Sequence, residues 1–422
     1  MSSLPPRARL GVVAAIVVLI LGGGIYLLFL RGEDSGPVVE AGSRFGSESK
    51  GGGGGSLLDT LAPVLGARQR TRSAGPDPSP PSADEIRRAP SDPVAGLFLV
   101  GFPGTAPSGS FFERLAVRAY GGVVLGRSNY VEPSQLAKLT AHIQQVAGRA
   151  SHPAPIVSAQ QEGGDFNAFA NLAPAGQADI GSRRDFEIRG SARVAGRQLR
   201  ALGVGMNLAP NADVAVAGGP AQGRAFSNAA DRVATAVKAS VEGYRRAGIA
   251  SAVGPFPGDG AASQDPSAGP APVGLAIEQL RQRDITPFAA VASGRGAPPA
   301  IQMTNAIYTA YDSVTPATLL PDAVKELRDR LGFGGTIISA DLVATTATTG
   351  GSVADAAVEA LKAGVDMLLV PGGRAQQDEA YRAVVAAVAS GAISADRIVT
   401  SLRRIAALRR LTSDAREPVQ IG

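Results

Sequence analysis

Acidic side chains stand at the points where several predicted strands end. Glu162 follows the apolar run 154–160, Asp213 follows 205–209 and Asp259 follows 249–253. Asp341 ends a fourth run, the β-branched segment 336–339, and the residue before it is Ala340. Carboxyl groups can act as general acids, general bases or nucleophiles, and in parallel α/β barrels they do so at the carboxyl ends of strands. These four acids are therefore the first candidates for chemistry or ligand binding.

Short apolar segments alternate with amphipathic helices from Val94 onward. This alternation is typical of βα units and a parallel sheet. Eight strands are predicted, the number that a closed TIM-type barrel needs. They span residues 97–102, 121–126, 154–160, 205–209, 249–253, 300–304, 336–339 and 365–370. The region 91–413 is therefore predicted to be one α/β domain, a single (β/α)8 barrel.

Composition excludes several classes of function. The chain has no Cys, so it has no disulfides and no thiolate chemistry. Its two histidines, His142 and His152, are too few for a His-rich metal site, and we predict no metal and no cofactor. The net charge is +5, but the basic residues are scattered in pairs such as Arg245 and Arg246, without aromatic platforms. Nucleic acid is therefore not an expected partner.

The N-terminal region predicts a membrane anchor. Residues 10–30 carry no charge, and a helix of that length spans about 30 Å, the thickness of a bilayer core. Arg7 and Arg9 precede this run, so we expect a cytoplasmic tail at 1–9 and a barrel on the extracytoplasmic side of the cell membrane. A cleaved signal peptide is the alternative. Residues 31–90 are rich in Gly, Pro and Ser and predict a disordered linker, and 414–422 a tail.

Five motifs together resemble one family. The segment 332–342, Gly-Phe-Gly-Gly-Thr-Ile-Ile-Ser-Ala-Asp-Leu, resembles the "GF-x-G-x-I-x-S-D-D-L" segment of family 3 glycoside hydrolases, especially the bacterial β-N-acetylhexosaminidases. Residues 205–213, 223–226, 312–319 and 363–367 are similar to further family motifs, in the family's order. The resemblance covers the chain from Leu97 to about Leu411. It implies a barrel that acts on glycans.

The resemblance also implies losses at the catalytic positions. The first acid of the "S-D-D" motif is the family's nucleophile, and Ala340 occupies that position here. The family's acid/base His and its acidic partner correspond to Ser267 and Ala261. A retaining glycosidase needs a nucleophilic carboxylate about 5 Å from a proton donor. We therefore expect a catalytically impaired site.

The sugar-binding positions change as well. Gln160 stands where the family has a sugar-contacting Asp, and Gly254 and Pro255 replace a Lys-His pair. Asn305 replaces the His that ends strand six, whereas Arg224 is retained. The resemblance therefore implies a ligand-binding set of Arg224, Gln160, Glu162, Asn305 and Asp213.

Three acids remain as fallback catalytic residues: Asp341, Glu162 and Asp259. Side chains alternate along a strand, so Asp341 faces the helices if position 340 faces the mouth, unless the strand already ends at Ser339. Asp259 and Asp265 are candidates for a new carboxylate pair, or else solvated. Glu162, Asp213 and Asp366 have structural interpretations, as partners of loop amides or arginines. Two interpretations of Arg224 are equally supported: it contacts a ligand, or it forms a structural ion pair.

Three functional hypotheses follow. The first is an anchored, catalytically impaired barrel that binds a glycan containing N-acetylglucosamine, plausibly derived from peptidoglycan, or an envelope protein. The second is an active β-N-acetylhexosaminidase with a rearranged site. The third is a structural envelope protein with an empty cleft.

Overall fold

The computed structural model describes residues 20–21, 24–25, 79–89 and 91–413. Most of the predicted anchor at 10–30, and the segments 1–9, 31–78 and 414–422, lie outside the described residues. At four anchor positions the chain forms strands rather than a helix: Ile20–Leu21 pairs antiparallel with Gly24–Ile25, beside glycines of low helix propensity. Within the described part of the chain, no helix has the length and apolarity needed to cross a membrane.

Eight parallel strands close into a barrel, which confirms the predicted α/β barrel. Each predicted strand is present, and neighbours along the chain are neighbours in the barrel, with the last strand pairing with the first. The strands are β1 Phe98–Val100, β2 Gly122–Leu125, β3 Ile156–Ala159, β4 Met206–Asn207, β5 Ala250–Phe256, β6 Ala300–Met303, β7 Thr336–Asp341 and β8 Met367–Val370. Their carboxyl ends meet at one rim, the mouth of the barrel.

Helices surround the strands. They are α1 Ala83–Arg88, α2 Ser91–Ala95, α3 Ser110–Val117, α4 Pro133–Arg149, α5 Gln177–Ile180, α6 Asp185–Ala201, α7 Ala230–Ala247, α8 Ile277–Gln282, α9 Thr286–Ala289, α10 Pro321–Lys325, α11 Leu342–Thr349, α12 Val353–Ala363, α13 Arg374–Ala389 and α14 Ala395–Ser413. A π-helical turn, Glu326–Arg330, extends α10. Val233, Val237, Val241 and Tyr244 of α7 are buried, as their helical spacing predicts.

The helix α14 lies across the bottom of the barrel, the end opposite the mouth. Asp366, which precedes β8, is fully buried and binds Arg328, Arg397 and Arg404. Its carboxylate also accepts hydrogen bonds from Ser401 Oγ at 2.9 Å and from a β7 backbone N–H at 3.0 Å. The predicted structural role of Asp366 is therefore correct: it joins β7, β8 and α14.

The predicted disordered linker extends too far. Its last part contains α1, which is capped by Ser82: the hydroxyl accepts from the N–H of Glu85, and the Glu85 carboxylate accepts from the N–H of Ser82. Ile86 of α1 is fully buried, and α1 packs against α14. The capping box satisfies the N-terminal amides of this short helix, and the buried Ile86 side chain packs it onto the barrel.

Candidate active site

Ala340 lies at the mouth end of β7 and is only 5% exposed. Relative to β8 the strand contains a β-bulge between Ile338 and Asp341. Ser339 holds this bulge, since its hydroxyl donates to the Ala340 carbonyl at 2.7 Å and accepts from the Leu369 N–H at 2.8 Å. The Ala340 N–H donates to Thr318 Oγ1 at 3.0 Å. A methyl group on a fixed backbone therefore occupies the position at which the resemblance implies a nucleophile.

Asp341 caps a helix. One carboxylate oxygen accepts hydrogen bonds from the N–H groups of Val343 at 2.8 Å and Ala344 at 3.2 Å, the first turn of α11. Burial raises the pKa of Asp341, although these hydrogen bonds act in the opposite direction. The strand continues to Asp341 instead of ending at Ser339 as predicted, because the bulge extends it. The bulge sets three residues of β7 against two of β8 and so interrupts the alternation of side chains that the sequence argument assumed. The observation against Asp341 as a nucleophile is instead that one of its carboxylate oxygens caps α11.

Asn305 has partners for both ends of its amide. Its Nδ2 donates to the Asp341 carbonyl at 3.0 Å, and its Oδ1 accepts from Thr345 Oγ1 at 2.7 Å. Asn305 is 5% exposed. It therefore joins the end of β6 to the start of α11, and the predicted ligand contact remains untested.

Glu162 and Arg224 form a bidentate ion pair at the mouth. Arg224 Nε and Nη2 lie 2.5 Å from the two carboxylate oxygens of Glu162. Gln160 Nε2 donates to the same carboxylate at 2.6 Å. Glu162 is 4% exposed and the Arg224 side chain 25% exposed. Of the two interpretations for Arg224, the ion pair is realised, and both Glu162 oxygens are occupied.

Asp213 and Asp259 are neighbours, a pairing that the sequence interpretation missed. The Asp259 N–H donates to Asp213 Oδ1 at 2.5 Å, while Asp213 Oδ2 accepts from Asn211 Nδ2 at 2.8 Å. Burial raises the pKa of Asp213 to about 6, against the lowering effect of Arg224. Burial and the Asp213 charge raise the pKa of Asp259 well above its ordinary value, although Thr304 Oγ1 donates to it at 2.5 Å. Burial and the proximity of the two charges thus favour the protonated form at this pair.

Asp259 and Asp265 do not form the predicted pair, and each has other hydrogen-bond partners. Asp265 accepts hydrogen bonds from the N–H and hydroxyl of Ser267, at 2.8 and 2.7 Å, on the exposed loop after β5. Short-range bonding of this kind satisfies the Asp265 carboxylate locally, whereas a second carboxylate would repel it. Asp259 instead meets Asp213 because β4 and β5 are adjacent, so their loops adjoin.

The two histidines lie away from the mouth, as predicted. His142, on α4, packs edge-on against Phe112 with ring centroids 4.9 Å apart, and burial lowers its pKa. His152 Nδ1 lies 3.2 Å from the Leu115 carbonyl, before β3 begins. Among the described residues, no group of three or more His, Cys, Asp or Glu side chains is placed to hold a metal ion.

Sequence and structure comparisons agree on one family. The family model for the glycosyl hydrolase family 3 N terminal domain matches residues 95–408. A Beta-hexosaminidase of Xanthomonas axonopodis pv. citri (strain 306) is 30% identical over 285 residues, 65% of this chain and 83% of the relative. A Beta-hexosaminidase of Methylococcus capsulatus (strain ATCC 33009 / NCIMB 11132 / Bath) is 32% identical over 270 residues, 61% of this chain and 77% of the relative.

Solved structures resemble the barrel closely. A glycoside hydrolase family 3 beta-N-acetylglucosaminidase from Paenibacillus sp. str. FPU-7 superposes with a TM-score of 0.73 at 31% identity, covering 79% of this chain and 64% of that protein. The Beta-N-acetylhexosaminidase of Beutenbergia cavernae DSM 12333 gives a TM-score of 0.69 at 25% identity, covering 76% and 98%. The chain therefore belongs to glycoside hydrolase family 3, as a β-N-acetylhexosaminidase-like (β/α)8 barrel.

Proposed function

We propose that this family member binds a glycan containing N-acetylglucosamine at the barrel mouth without hydrolysing it. One observation carries the proposal: Ala340 occupies the nucleophile position, and the acid beside it, Asp341, caps α11 through Val343 and Ala344. Without the nucleophile, an oxocarbenium-like transition state has no covalent or electrostatic partner beneath the anomeric carbon. Loss of a reacting group reduces rates by several powers of ten.

Glu162 is a poor substitute for the missing carboxylate. Both of its oxygens are bound by the Arg224 guanidinium, and one also accepts from Gln160. An attacking carboxylate would have to leave this charge-assisted, bidentate arrangement. The same groups suit ligand binding, because the exposed Gln160 amide and the quarter-exposed Arg224 side chain present donors to sugar hydroxyl or acetamido oxygens.

The glycan and the location are also part of the proposal. Relatives described as beta-N-acetylglucosaminidases point to N-acetylglucosamine as the sugar unit. Anchoring through residues 10–30, with the barrel outside the cytoplasm, would place the mouth among cell-wall glycans. A peptidoglycan-derived chain is therefore the proposed ligand, and an envelope protein that covers the same mouth is the alternative partner.

A second candidate function rests on the Asp213–Asp259 pair. Two buried neighbouring carboxylates whose pKa values are raised, that of Asp213 to about 6, resemble the acid/base pairs of enzymes that work near neutral pH. If one of them delivers a proton to a glycosidic oxygen, the chain is an active β-N-acetylhexosaminidase with a rearranged site.

Turnover and binding together test these functions. The full-length chain is incubated with 4-nitrophenyl N-acetyl-β-D-glucosaminide, and the proposal expects no release of nitrophenol above the buffer rate. Chitotriose titrated calorimetrically should bind saturably, and Arg224→Ala should weaken this binding. Turnover that disappears in Asp259→Asn would replace the proposal by the second candidate. If neither turnover nor saturable binding to chitotriose or peptidoglycan fragments is found, a structural role remains.

A further inference from the structure

We propose that Phe166 is a stacking platform for one pyranose ring at the rim of the mouth. The inference deepens the proposed glycan binding and rests on it. Phe166 is 40% exposed and lies in the loop that follows β3, four residues after Glu162. The Arg224 guanidinium carbon lies 5.5 Å from the centre of the Phe166 ring. An exposed aromatic ring therefore adjoins the ion pair of the candidate site.

Isolated exposed apolar side chains are normal on protein surfaces. Phe166 differs because its loop is held rigidly by backbone hydrogen bonds. Its N–H donates to the Gly163 carbonyl at 3.1 Å, and its carbonyl accepts from the Glu162 N–H at 3.3 Å. Arg127 Nε donates to the Asn167 carbonyl at 3.2 Å. Because folding already fixes the backbone, a ligand meets the ring at little further entropic cost.

The surroundings of the ring match the two kinds of surface on a sugar. Glucosamine-type pyranoses with β linkages carry axial C–H groups on their faces and hydroxyls at their edges. The negative face of an aromatic ring attracts such C–H groups. The Arg224 guanidinium lies over one face of the ring, and Gln160 and Asp165, close to Phe166 in the chain, are exposed polar residues. This combination of one flat apolar surface and flanking polar groups favours a pyranose over a purely anionic or purely apolar ligand.

The chain offers a direct optical test, because it contains no Trp. Phe166→Trp places a single indole on the platform. When chitotriose is titrated into the full-length variant, the emission of this indole should change in wavelength and intensity. The change should follow the same binding curve as calorimetry. The matched control is Phe186→Trp, since Phe186 is also exposed, at 52%, and also has an arginine over its ring, Arg184 at 4.4 Å. It lies in the first turn of α6, and its emission should not respond.

Affinity provides the second readout. Phe166→Ala should weaken chitotriose binding by between about twofold and about tenfold, with Phe186→Ala unchanged, since one aromatic contact contributes that much. Thermal unfolding checks that each variant is folded. Unchanged affinity in Phe166→Ala, or an unresponsive indole at 166 while calorimetry reports binding, would overturn the platform and leave the proposed function intact. Absence of binding to both chitotriose and peptidoglycan fragments in the unaltered chain would overturn both.

Discussion

Replacing Arg224 by Met measures how much the ion pair at the mouth contributes to the free energy of unfolding. The substitution keeps much of the side-chain volume but leaves the Glu162 carboxylate, 4% exposed, without its cation. Removing one partner of a buried pair costs about 3–5 kcal/mol of unfolding free energy. We expect the lower end, about 3 kcal/mol, because Arg224 is a quarter exposed and Gln160 still donates to Glu162. For a barrel of about 320 residues this corresponds to a fall in Tm of about 4 to 5 °C.

Differential scanning calorimetry of the full-length chain at pH 7.5 provides the measurement. The matched control is Arg189→Met, which breaks a pair with Glu242 at 3.1 Å whose side chains are 32% and 30% exposed, and this should cost under about 1 kcal/mol. The deficit of Arg224→Met should shrink toward pH 5, because Arg224 lowers the pKa values of Asp213 and Asp259 and its loss raises them further. If Arg224→Met loses less than about 1 kcal/mol of unfolding free energy, or if the loss grows on acidification, Arg224 and Glu162 do not form a buried ion pair that stabilises the fold.

Three further predictions concern the mouth. Ala340→Asp should raise the release of dinitrophenol from 2,4-dinitrophenyl N-acetyl-β-D-glucosaminide about tenfold or more, because this leaving group departs without help from an acid. The same variant should form a glycosyl adduct that mass spectrometry can detect. Ala340→Asn, which supplies no nucleophilic carboxylate, should do neither. Asp341→Ala should lower stability by about 1 kcal/mol in urea unfolding through loss of the α11 cap, whereas Asp341→Asn, which can still cap, should cost much less. Finally, Tm should rise as pH falls from 8 to 5. Burial raises the pKa of Asp213 to about 6 and that of Asp259 well above normal, so the folded state binds protons that the unfolded state releases. A Tm that falls across this range would contradict these shifts.

The barrel was predictable because its signals are local and repeated. Runs such as 336–339, with its β-branched centre, and 367–370, Met-Leu-Leu-Val, are short and bounded, as strands buried on both faces of a parallel sheet are. The order of the strands then follows from right-handed βα connections between neighbours. The ends of elements were less certain: β7 runs to Asp341 because Ser339 supports a bulge, and no pattern of hydrophobicity indicates a bulge.

The site was only partly predictable. The identity of each mouth residue can be read from the chain, and the interpretation of Arg224 as an ion-pair partner is realised. The contact between Asp213 and Asp259 depends on two loops from adjacent strands, so spacing along the chain cannot reveal it. A short signal was present but overlooked at α1, where Ser82 and Glu85 have the spacing of a capping box.

The arrangement at the bottom of the barrel has a mechanical consequence. The chain that leads into the barrel passes through α1, which packs against α14, and Asp366 fastens α14 to β7 and β8. Tension applied through the segment before α1 would thus be borne at the end of the barrel opposite the mouth. If the proposed ligand is held at the mouth, a pull on α1 would act along the barrel axis, so the parallel strands would carry the force lengthwise instead of being separated sideways.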